Sequence, residues 1–338
     1  MLLPDGTIRS GEDGMRIRTA SIGGAALRLT RIAVVAAVVG AAVCGCGSKD
    51  SGDQVAYHAP AAATSTRPTS SASSASAKPS THVPNTSGPV ESDPDLGSNP
   101  VLRRQGVGIS GVSCQLPAWS ADPAAAEAFY RAAIECHNSA WRSTLTGFGI
   151  EFTGPKLWAG ARSAQYDGGC GHNGTGREAF YCPRDQTIVM PFDTMQPISR
   201  NGAGYALAVL SHEYGHHIQQ LTGIFNAFQA RGNALNWAGS ETDLLNRRLE
   251  LQAWCFSGMF YGTSTGRGSV SKAMADQAYD NNSGAGDRPG ERRWHGTSKN
   301  VANWFGWGEH PADDPSTPAQ PSLYECNPWA ARSAAWLE

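Results

Sequence analysis

The architecture of this chain follows from nine residues near its middle, Ser211-His212-Glu213-Tyr214-Gly215-His216-His217-Ile218-Gln219. They contain the pattern H-E-x-x-H, which a chain of this composition would show by chance in about one case in a hundred. Apolar residues recur around the pattern at spacings of three and four, which is typical of the buried face of a helix. These apolar residues are Leu207, Leu210, Tyr214, Ile218 and Leu221. The spacing predicts a helix over residues 205 to 221.

Two histidines of this helix suit a metal ion. His212 and His216 lie one turn apart and project from the same side, so both imidazoles can reach one zinc ion; the alternative is two core histidines without a metal. Glu213 is turned away by about 100°, which predicts a proton acceptor for a water molecule rather than a ligand. Gly215 is costly inside a helix and therefore predicts the close approach of another backbone. His217 points elsewhere and is expected to be structural.

The third ligand is expected to be a carboxylate, because no further histidine follows at the short metzincin spacing. Glu241 and Asp243 follow Ser240 and are typical of a helix start, with Ser240 as the N-cap. Glu250 lies instead among apolar residues of the same helix, where an unpaired carboxylate would be costly. The pattern of two histidines and one glutamate favours Glu250 as the zinc ligand. A buried ion pair between Glu250 and an arginine is the alternative.

The N-terminal part of the chain has the composition of an export signal followed by a tether. Residues 16 to 31 hold four arginines and no acid, and a 12-residue apolar run then extends from Ile32 to Val43. This pattern is typical of a secretory signal, and the run is too short for a transmembrane helix. Gly45 precedes Cys46 as in the bacterial lipobox, which predicts that Cys46 is lipidated; an ordinary cleaved signal is the alternative. We therefore predict a signal peptide at 1–45, a disordered Ser/Ala/Pro/Thr-rich tether at 46–104 and one folded domain at 105–338.

Cysteine content and charge restrict the class of protein further. Six cysteines belong to the predicted domain, at positions 114, 136, 170, 182, 255 and 326. An even number in an exported chain predicts three disulfides, and the close C-x2-C pairs of a cysteine-type zinc knob are absent from this sequence. The formal net charge of −2 lacks the basic excess of a nucleic-acid-binding protein.

Several blocks of the sequence resemble the bacterial neutral zinc metallopeptidases that carry H-E-Y-G-H-H-x-Q, and most closely their actinobacterial lipoprotein members. The resemblance covers most of residues 105 to 338. Besides residues 211 to 219, the matching blocks are Phe180-Tyr181-Cys182-Pro183, Glu250-Leu251-Gln252-Ala253 with Cys255, His295-Gly296-Thr297-Ser298 and Cys326-Asn327.

The resemblance implies a zincin-like fold in which His212, His216 and Glu250 bind zinc and Glu213 is the catalytic base. His295 becomes a candidate for stabilising the oxyanion, with Tyr181 and Tyr214 as weaker alternatives, although Gly296-Thr297-Ser298 would also suit a simple helix start. The disulfides that fit the family are Cys170–Cys182 and Cys255–Cys326, which leaves Cys114–Cys136.

Trp254 departs from the family pattern, which has Asp at this position. An Asp four residues after Glu250 would lie on the same helix face, where its carboxylate can accept a hydrogen bond from the non-ligating N–H of a zinc histidine. The indole of Trp254 can only donate. This difference favours an alternative function, that of a catalytically weak or inactive zincin-like envelope lipoprotein that binds a protein or cell-wall partner.

The remaining patterns predict an α+β domain that is mainly helical, with a small edge-stranded sheet. Residues 186 to 192 form a β-branched run with Pro191, which predicts an edge strand that an extended peptide could join. Helices are expected at 123–144, 240–262 and 269–280. The cluster Trp304-Phe305-Gly306-Trp307 is expected in the core or at the domain edge, with a substrate-binding aromatic shelf as the alternative.

We therefore predict a disulfide-stabilised zinc metallopeptidase of the cell envelope. It would bind one Zn²⁺ ion and hydrolyse a peptide or protein substrate, without a nucleic-acid partner. Lipidated Cys46 would hold it on the outer face of the plasma membrane, from which it could also be released.

Overall fold

Eight α-helices, two short 3-10 helices (Pro100–Leu102 and Ser163–Gln165) and four short strands make up the regular structure in the part of the chain that the computed structural model describes, which comprises residues 55–56, 94–171, 179–199, 202–290, 292–309 and 322–338. The helices are α1 (Pro123–Gly147), α2 (Phe192–Ser199), α3 (Ala203–Leu221), α4 (Ile224–Ala234), α5 (Gly239–Ser264), α6 (Lys272–Asn282), α7 (Ser298–Glu309) and α8 (Ala334–Leu337). The predicted signal peptide and Cys46 lie outside the described residues. Within those residues, no helix has the length and apolar character that crossing a membrane requires.

The helix ends follow local chemistry in some places and not in others. Asp122 starts α1 by accepting hydrogen bonds from the backbone N–H groups of Ala124 and Ala125, and Pro123 occupies the first turn, where its missing N–H costs nothing. The helix α5 begins one residue before the predicted residue 240, and Ser240 is not its N-cap, which lies two residues earlier. Its N-cap is Ala238, which makes no side-chain cap, and Gly239 has a positive φ of 80°. The turn before α5 is therefore set by the backbone freedom of Gly239 rather than by Ser240.

Helix α5 lies between α3 and α7 at backbone contact. A Cβ added to Gly215 of α3 would lie 2.7 Å from the carbonyl oxygen of Ala253 and 2.9 Å from its Cα. The close approach predicted for Gly215 is thus confirmed. On the other side, a Cβ at Gly258 would meet the carbonyl oxygen of Phe305, and a Cβ at Gly308 would meet that of Cys255. Glycines therefore set both helix separations.

The small sheet has the order β1-β3-β4-β2. Its strands are β1 (Val55–Ala56), β2 (Lys156–Trp158), β3 (Phe180–Cys182) and β4 (Thr187–Val189). Strand β4 pairs antiparallel with β3 and parallel with β2, so the edge position predicted for residues 186–192 is wrong. Pro191 lies beyond the last paired residue of β4 and therefore removes no ladder hydrogen bond. The strand-addition site predicted there is wrong as well.

Three disulfides connect the helices and loops. They join Cys114 to Cys136, Cys170 to Cys182 and Cys255 to Cys326, which are the pairings that the family resemblance implied. Trp304 and Trp307 are buried, and the Trp304 indole donates to the carbonyl oxygen of Trp336. The mainly helical α+β class is confirmed, and the tryptophan cluster packs in the core as expected.

Part of the predicted tether packs against the domain. Leu96, Val101 and Leu102 are buried. The Asn99 amide donates to the carbonyl oxygen of Thr222 at the end of α3, at 3.0 Å, and the Asn327 amide donates to the carbonyl oxygen of Gly97. Residues 94–102 therefore contribute to the core, and the domain begins before the predicted boundary at residue 105.

We expect a chain that begins at residue 105 to be less stable than one that begins at residue 94. Exposing or losing three buried aliphatic side chains costs about 1.5–3 kcal/mol each. The ordering entropy of the segment offsets much of this gain, so the free energy of unfolding should fall by less than the sum of these three costs. Urea denaturation of the two chains tests this. Equal midpoints would show that residues 94–104 do not stabilise the domain.

Two fully buried histidines have structural partners. His217 accepts at Nδ1 from the Tyr181 hydroxyl, at 3.1 Å, and donates from Nε2 to the Thr153 carbonyl oxygen, at 2.8 Å. It therefore connects α3 to β3, in agreement with its predicted structural role. His137 contacts the Ser211 hydroxyl at 2.9 Å and stacks between the rings of Tyr214 and Phe260.

The domain should lose stability in mild acid. Burial lowers the pKa of His217 to about 4 and that of His137 well below its ordinary value of 6.5. At pH values between the lowered pKa values of the folded state and the ordinary value of 6.5, these two histidines are protonated in the unfolded chain but not in the folded chain. The free energy of unfolding therefore falls as the pH is lowered. The expected loss between pH 7 and pH 5 is about 2 kcal/mol from His217, and His137 acts in the same direction. Urea denaturation with a chelator present measures it, and His217→Gln should remove about one histidine's share; an unchanged pH dependence in that variant would contradict the assignment.

Candidate metal centre

Three ligand atoms from α3 and α5 converge in the interior. Nε2 of His212 lies 3.2 Å from Nε2 of His216. Oε2 of Glu250 lies 3.1 Å from the His212 nitrogen and 3.7 Å from the His216 nitrogen. All three side chains are buried, and among the described residues they form a group that could hold a metal ion.

The separations fit a tetrahedral zinc ion. Zinc binds histidine nitrogen and carboxylate oxygen at about 2.0–2.2 Å, so two ligand atoms of a tetrahedral site lie about 3.3 Å apart. The three measured separations, 3.1, 3.2 and 3.7 Å, scatter around this value. Three protein ligands also leave a fourth position, as catalytic zinc sites do.

The helix contacts explain why these residues meet. His212 and His216 are one turn apart on α3, and Gly215 between them lets Ala253 of α5 approach at backbone contact. That contact lies one turn after Glu250 and brings the Glu250 carboxylate within reach of both imidazoles. The local chemistry of α3 and the crossing of α5 therefore produce the site together.

Protonation states suit metal binding, which requires neutral histidine and ionised carboxylate. Burial lowers the pKa of His212 to about 4, so this imidazole is neutral at pH 7. Burial acts to raise the pKa of Glu250, but the attraction of His216 and the contact with His212 outweigh it and lower the pKa below its ordinary range. The carboxylate is therefore ionised.

Each ligand histidine has a partner behind it. Nδ1 of His216 contacts Oε1 of Gln219 at 2.8 Å. The ring of His212 stacks on the indole of Trp254, with centroids 4.0 Å apart and planes at 27°. Trp254 thus holds His212 by ring contact, since an indole cannot accept a hydrogen bond. For His216, the neutral side-chain amide of Gln219 supplies the acceptor.

The catalytic candidate Glu213 is fully buried on α3, directly after His212. Glu241 and Asp243 lie at the start of α5 and do not belong to the metal-ligand group. Glu241 is exposed, whereas Asp243 accepts from Arg292 at 2.6 Å and from the indole of Trp294 at 3.2 Å.

His295 is buried and lies near the metal group. Burial is the main cause of the lowered pKa of His212, and the interactions with His216 and His212 are the main causes for Glu250, with His295 a smaller contribution to both. The turn after His295 packs on α5, because a Cβ at Gly296 would contact the side chain of Leu251, which follows Glu250. Asp287 holds the histidine. Its carboxylate accepts from Nδ1 of His295 at 2.9 Å and from the backbone N–H groups of His295 and Gly296.

The tyrosines near the site are engaged elsewhere. The Tyr214 hydroxyl donates to Asn138 at 2.7 Å, and the Tyr181 hydroxyl contacts His217. Of the candidates for stabilising an oxyanion, His295 is the one whose imidazole is oriented by a carboxylate, because Asp287 accepts from its Nδ1.

A family comparison agrees with this geometry. Residues 110–317 match the family described as "Putative neutral zinc metallopeptidase". The chain belongs to this family. Its match includes the three candidate ligands, Glu213 and His295, so the fold and the zinc-peptidase ancestry implied by the sequence resemblance are shown.

Curated relatives share parts of the chain. Uncharacterized protein YpfJ of Escherichia coli strain K12 is 27% identical over 183 residues, which cover 49% of this chain and 61% of that protein. Uncharacterized proteins Rv2575 of Mycobacterium tuberculosis and Mb2605 of Mycobacterium bovis are 34% identical over 136 residues, which cover 38% of this chain and 41% of each relative. The chain thus spans less than two thirds of these relatives' length. No solved structure matches it.

Several residues of the site were not found from the sequence. Asp287 stands eight positions before His295 in a stretch rich in Arg, Pro and Gly, where the sequence offers no periodic signal. The roles of Gln219 and Gln252 were also missed, although both lie in blocks that match the family. Their signal was available, because an amide on the buried face of a helix must find hydrogen-bond partners.

Proposed function

We propose that this protein is a zinc-dependent peptidase that hydrolyses peptide bonds of a peptide or protein substrate. The observation that carries the proposal is the buried convergence of His212, His216 and Glu250 at separations that fit one zinc ion. Membership of the zinc metallopeptidase family supports the same conclusion.

The residues divide the work of hydrolysis. Zinc, when bound by the three ligands, supplies a Lewis acid that polarises the scissile carbonyl and makes a water molecule more acidic. Glu213 would accept the proton of the attacking water and deliver it to the leaving amine. His295, oriented by Asp287, would donate a hydrogen bond to the oxygen on which negative charge develops.

His295→Ala should lower kcat by about 10²–10³-fold, the usual cost of losing one donor to an oxyanion. The zinc content should stay unchanged, because His295 does not belong to the ligand group. Asp287→Asn should lower kcat less, since the amide oxygen can still accept from Nδ1 of His295. Steady-state kinetics with a fluorogenic peptide measures both effects, and wild-type kcat in His295→Ala would exclude this role.

We further propose that the protein is exported and anchored through lipidated Cys46 on the outer face of the plasma membrane. The arginine-flanked apolar run and the Gly45-Cys46 pair support this, as do three disulfides, which persist in oxidising compartments. Cys46→Ala should release the protein from the membrane fraction of expressing cells. A variant that stays with the membrane would contradict anchoring at Cys46.

Zinc content and hydrolysis together test the proposed activity. The chain from residue 46 onward, purified without added metal, should carry about one zinc ion per chain, as a three-ligand site predicts. Casein and peptide-library cleavage should stop with a chelator and return with zinc. Absence of both zinc and cleavage would refute the proposal.

A catalytically weak or inactive lipoprotein is the second candidate function. Trp254 favours it, because this residue replaces an acceptor by a ring that stacks on His212. One zinc ion per chain without cleavage of any peptide in the library would favour this function and direct the search towards a protein or cell-wall partner.

A further inference from the structure

Two glutamines form a continuous hydrogen-bond chain behind the candidate metal site. Gln219 of α3 and Gln252 of α5 are both fully buried. The Gln219 amide nitrogen donates to the Gln252 side-chain oxygen at 3.0 Å, and the Gln219 oxygen contacts Nδ1 of His216 at 2.8 Å. The glutamine pair, Gln219 with Gln252, therefore connects a candidate metal ligand to the interior.

The direction of this chain is fixed by groups that cannot exchange donor for acceptor. The Trp329 indole N–H can only donate, and it points to Oε1 of Gln252 at 3.2 Å. The backbone carbonyl oxygens of Cys326 and Leu249 can only accept, and they receive Nε2 of Gln252 at 2.9 Å and Nε2 of Gln219 at 2.8 Å. Rotating either amide by 180° would place like groups against each other.

The fixed direction determines the tautomer of His216. Because Oε1 of Gln219 faces Nδ1, that nitrogen must carry the proton, and the lone pair of the imidazole is then on Nε2. Nε2 is the nitrogen that lies 3.2 Å from His212 and 3.7 Å from Glu250. The glutamine pair thus turns the lone pair of His216 towards the position of the metal.

We infer that Gln219 and Gln252 are positioning residues that hold His216 in the Nδ1–H tautomer and so prepare it to bind zinc. The inference deepens the proposed function and rests on it, since it concerns the same metal site. Ligand histidines commonly donate their other N–H to a carboxylate, a backbone carbonyl or water. Here a side-chain amide takes that place, and its orientation is set by the C-terminal segment that contains Cys326 and Trp329.

Zinc affinity of three variants tests the inference. Gln219→Met keeps the side-chain length but removes the acceptor, and zinc should bind about 10–100-fold more weakly in a chelator competition. Gln252→Met removes the partner that orients the Gln219 amide but leaves the acceptor on Gln219, so its zinc affinity should fall less than that of Gln219→Met. The matched control is Gln220→Met. Gln220 is next along α3 and contacts the exposed amide of Asn226, so its replacement should leave zinc affinity within about twofold of the wild type.

The tautomer itself is the second readout, and it does not require zinc or activity. Long-range ¹H–¹⁵N NMR of the full chain in the presence of a chelator should show His216 protonated at Nδ1 in the wild type. In Gln219→Met and in Gln252→Met the population should shift towards the Nε2–H form. A wild-type His216 protonated at Nε2, or a Gln219→Met protein with wild-type zinc affinity, would overturn the inference.

These outcomes separate the two proposals. A wild-type protein that binds no zinc but shows the Nδ1–H tautomer would refute the metallopeptidase proposal and leave the role of the glutamine pair standing. A protein that binds zinc and cleaves peptides equally well after Gln219→Met would support the metallopeptidase proposal and refute the role of the glutamine pair. If Gln219→Met does not fold, the wild-type tautomer and the zinc affinity of Gln252→Met still decide.

Discussion

Glu213→Gln should reduce peptide hydrolysis by about 10²–10⁴-fold, the usual contribution of a positioned general base. Glutamine has almost the same shape as glutamate but cannot accept the proton of the attacking water. Zinc content should not change, because Glu213 follows His212 on α3 and does not belong to the ligand group. Initial rates on a fluorogenic peptide and elemental mass spectrometry of the same sample provide the two measurements.

Asp243→Asn is the matched control, since it makes the same carboxylate-to-amide change on an acid outside the metal group. Asp243 pairs with Arg292 and Trp294, so its replacement should alter hydrolysis by less than about threefold, in line with the small energies of partly exposed ion pairs. If Glu213→Gln hydrolyses peptides at the wild-type rate, another group must take the proton, and the assigned role of Glu213 would be wrong.

Glu250→Ala should lose its zinc. The change removes the carboxylate of the three-residue group and leaves two histidines, which cannot complete a catalytic site of the usual three protein ligands. We expect well under one zinc ion per chain after dialysis against a weak chelator, and hydrolysis should be lost with the metal. Added zinc should raise the melting temperature of the wild type and not that of the variant, because a ligand stabilises only a fold that binds it.

Glu241→Ala provides the control on the same helix. Glu241 is an exposed acid in the first turn of α5, so its removal should leave the zinc content at the wild-type level. A Glu250→Ala protein that still holds stoichiometric zinc would eliminate Glu250 as the third ligand.

Features encoded by one strong local pattern were predictable. The apolar stripe around residues 211–219 predicted α3 to within two residues of its start, and the burial of a carboxylate in an apolar helix identified Glu250. Gly215 indicated that another backbone approaches α3 closely, because glycine is costly inside a helix, and the structure identifies that backbone as α5. The family resemblance supplied the three disulfide pairings, which cysteine spacing alone left open.

Features that depend on distant partners were not predictable. The sheet order places β2 beside β4, and no signal within residues 186–192 reports that neighbour. Asp287 acquires its role only because a turn brings its carboxylate to His295. Residues 94–102 look like the end of a low-complexity tether, yet three apolar side chains among them are buried in the hydrophobic core of the domain. In each case the decisive contact joins two segments, and no local pattern in the sequence indicates that they pair.

The glycine contacts on both sides of α5 determine how rigid the candidate metal site is. Side chains between helices can repack, so a helix separated by them can slide or rotate by small amounts. At Gly215, Gly258 and Gly308 the main chains themselves are in contact, and the main chain of a helix cannot repack as side chains can. All three contacts fall within two and a half turns of Glu250. The separations between the two histidines and the glutamate are therefore fixed by the packing of the helices and not by a bound ion, so an ion has to fit these separations.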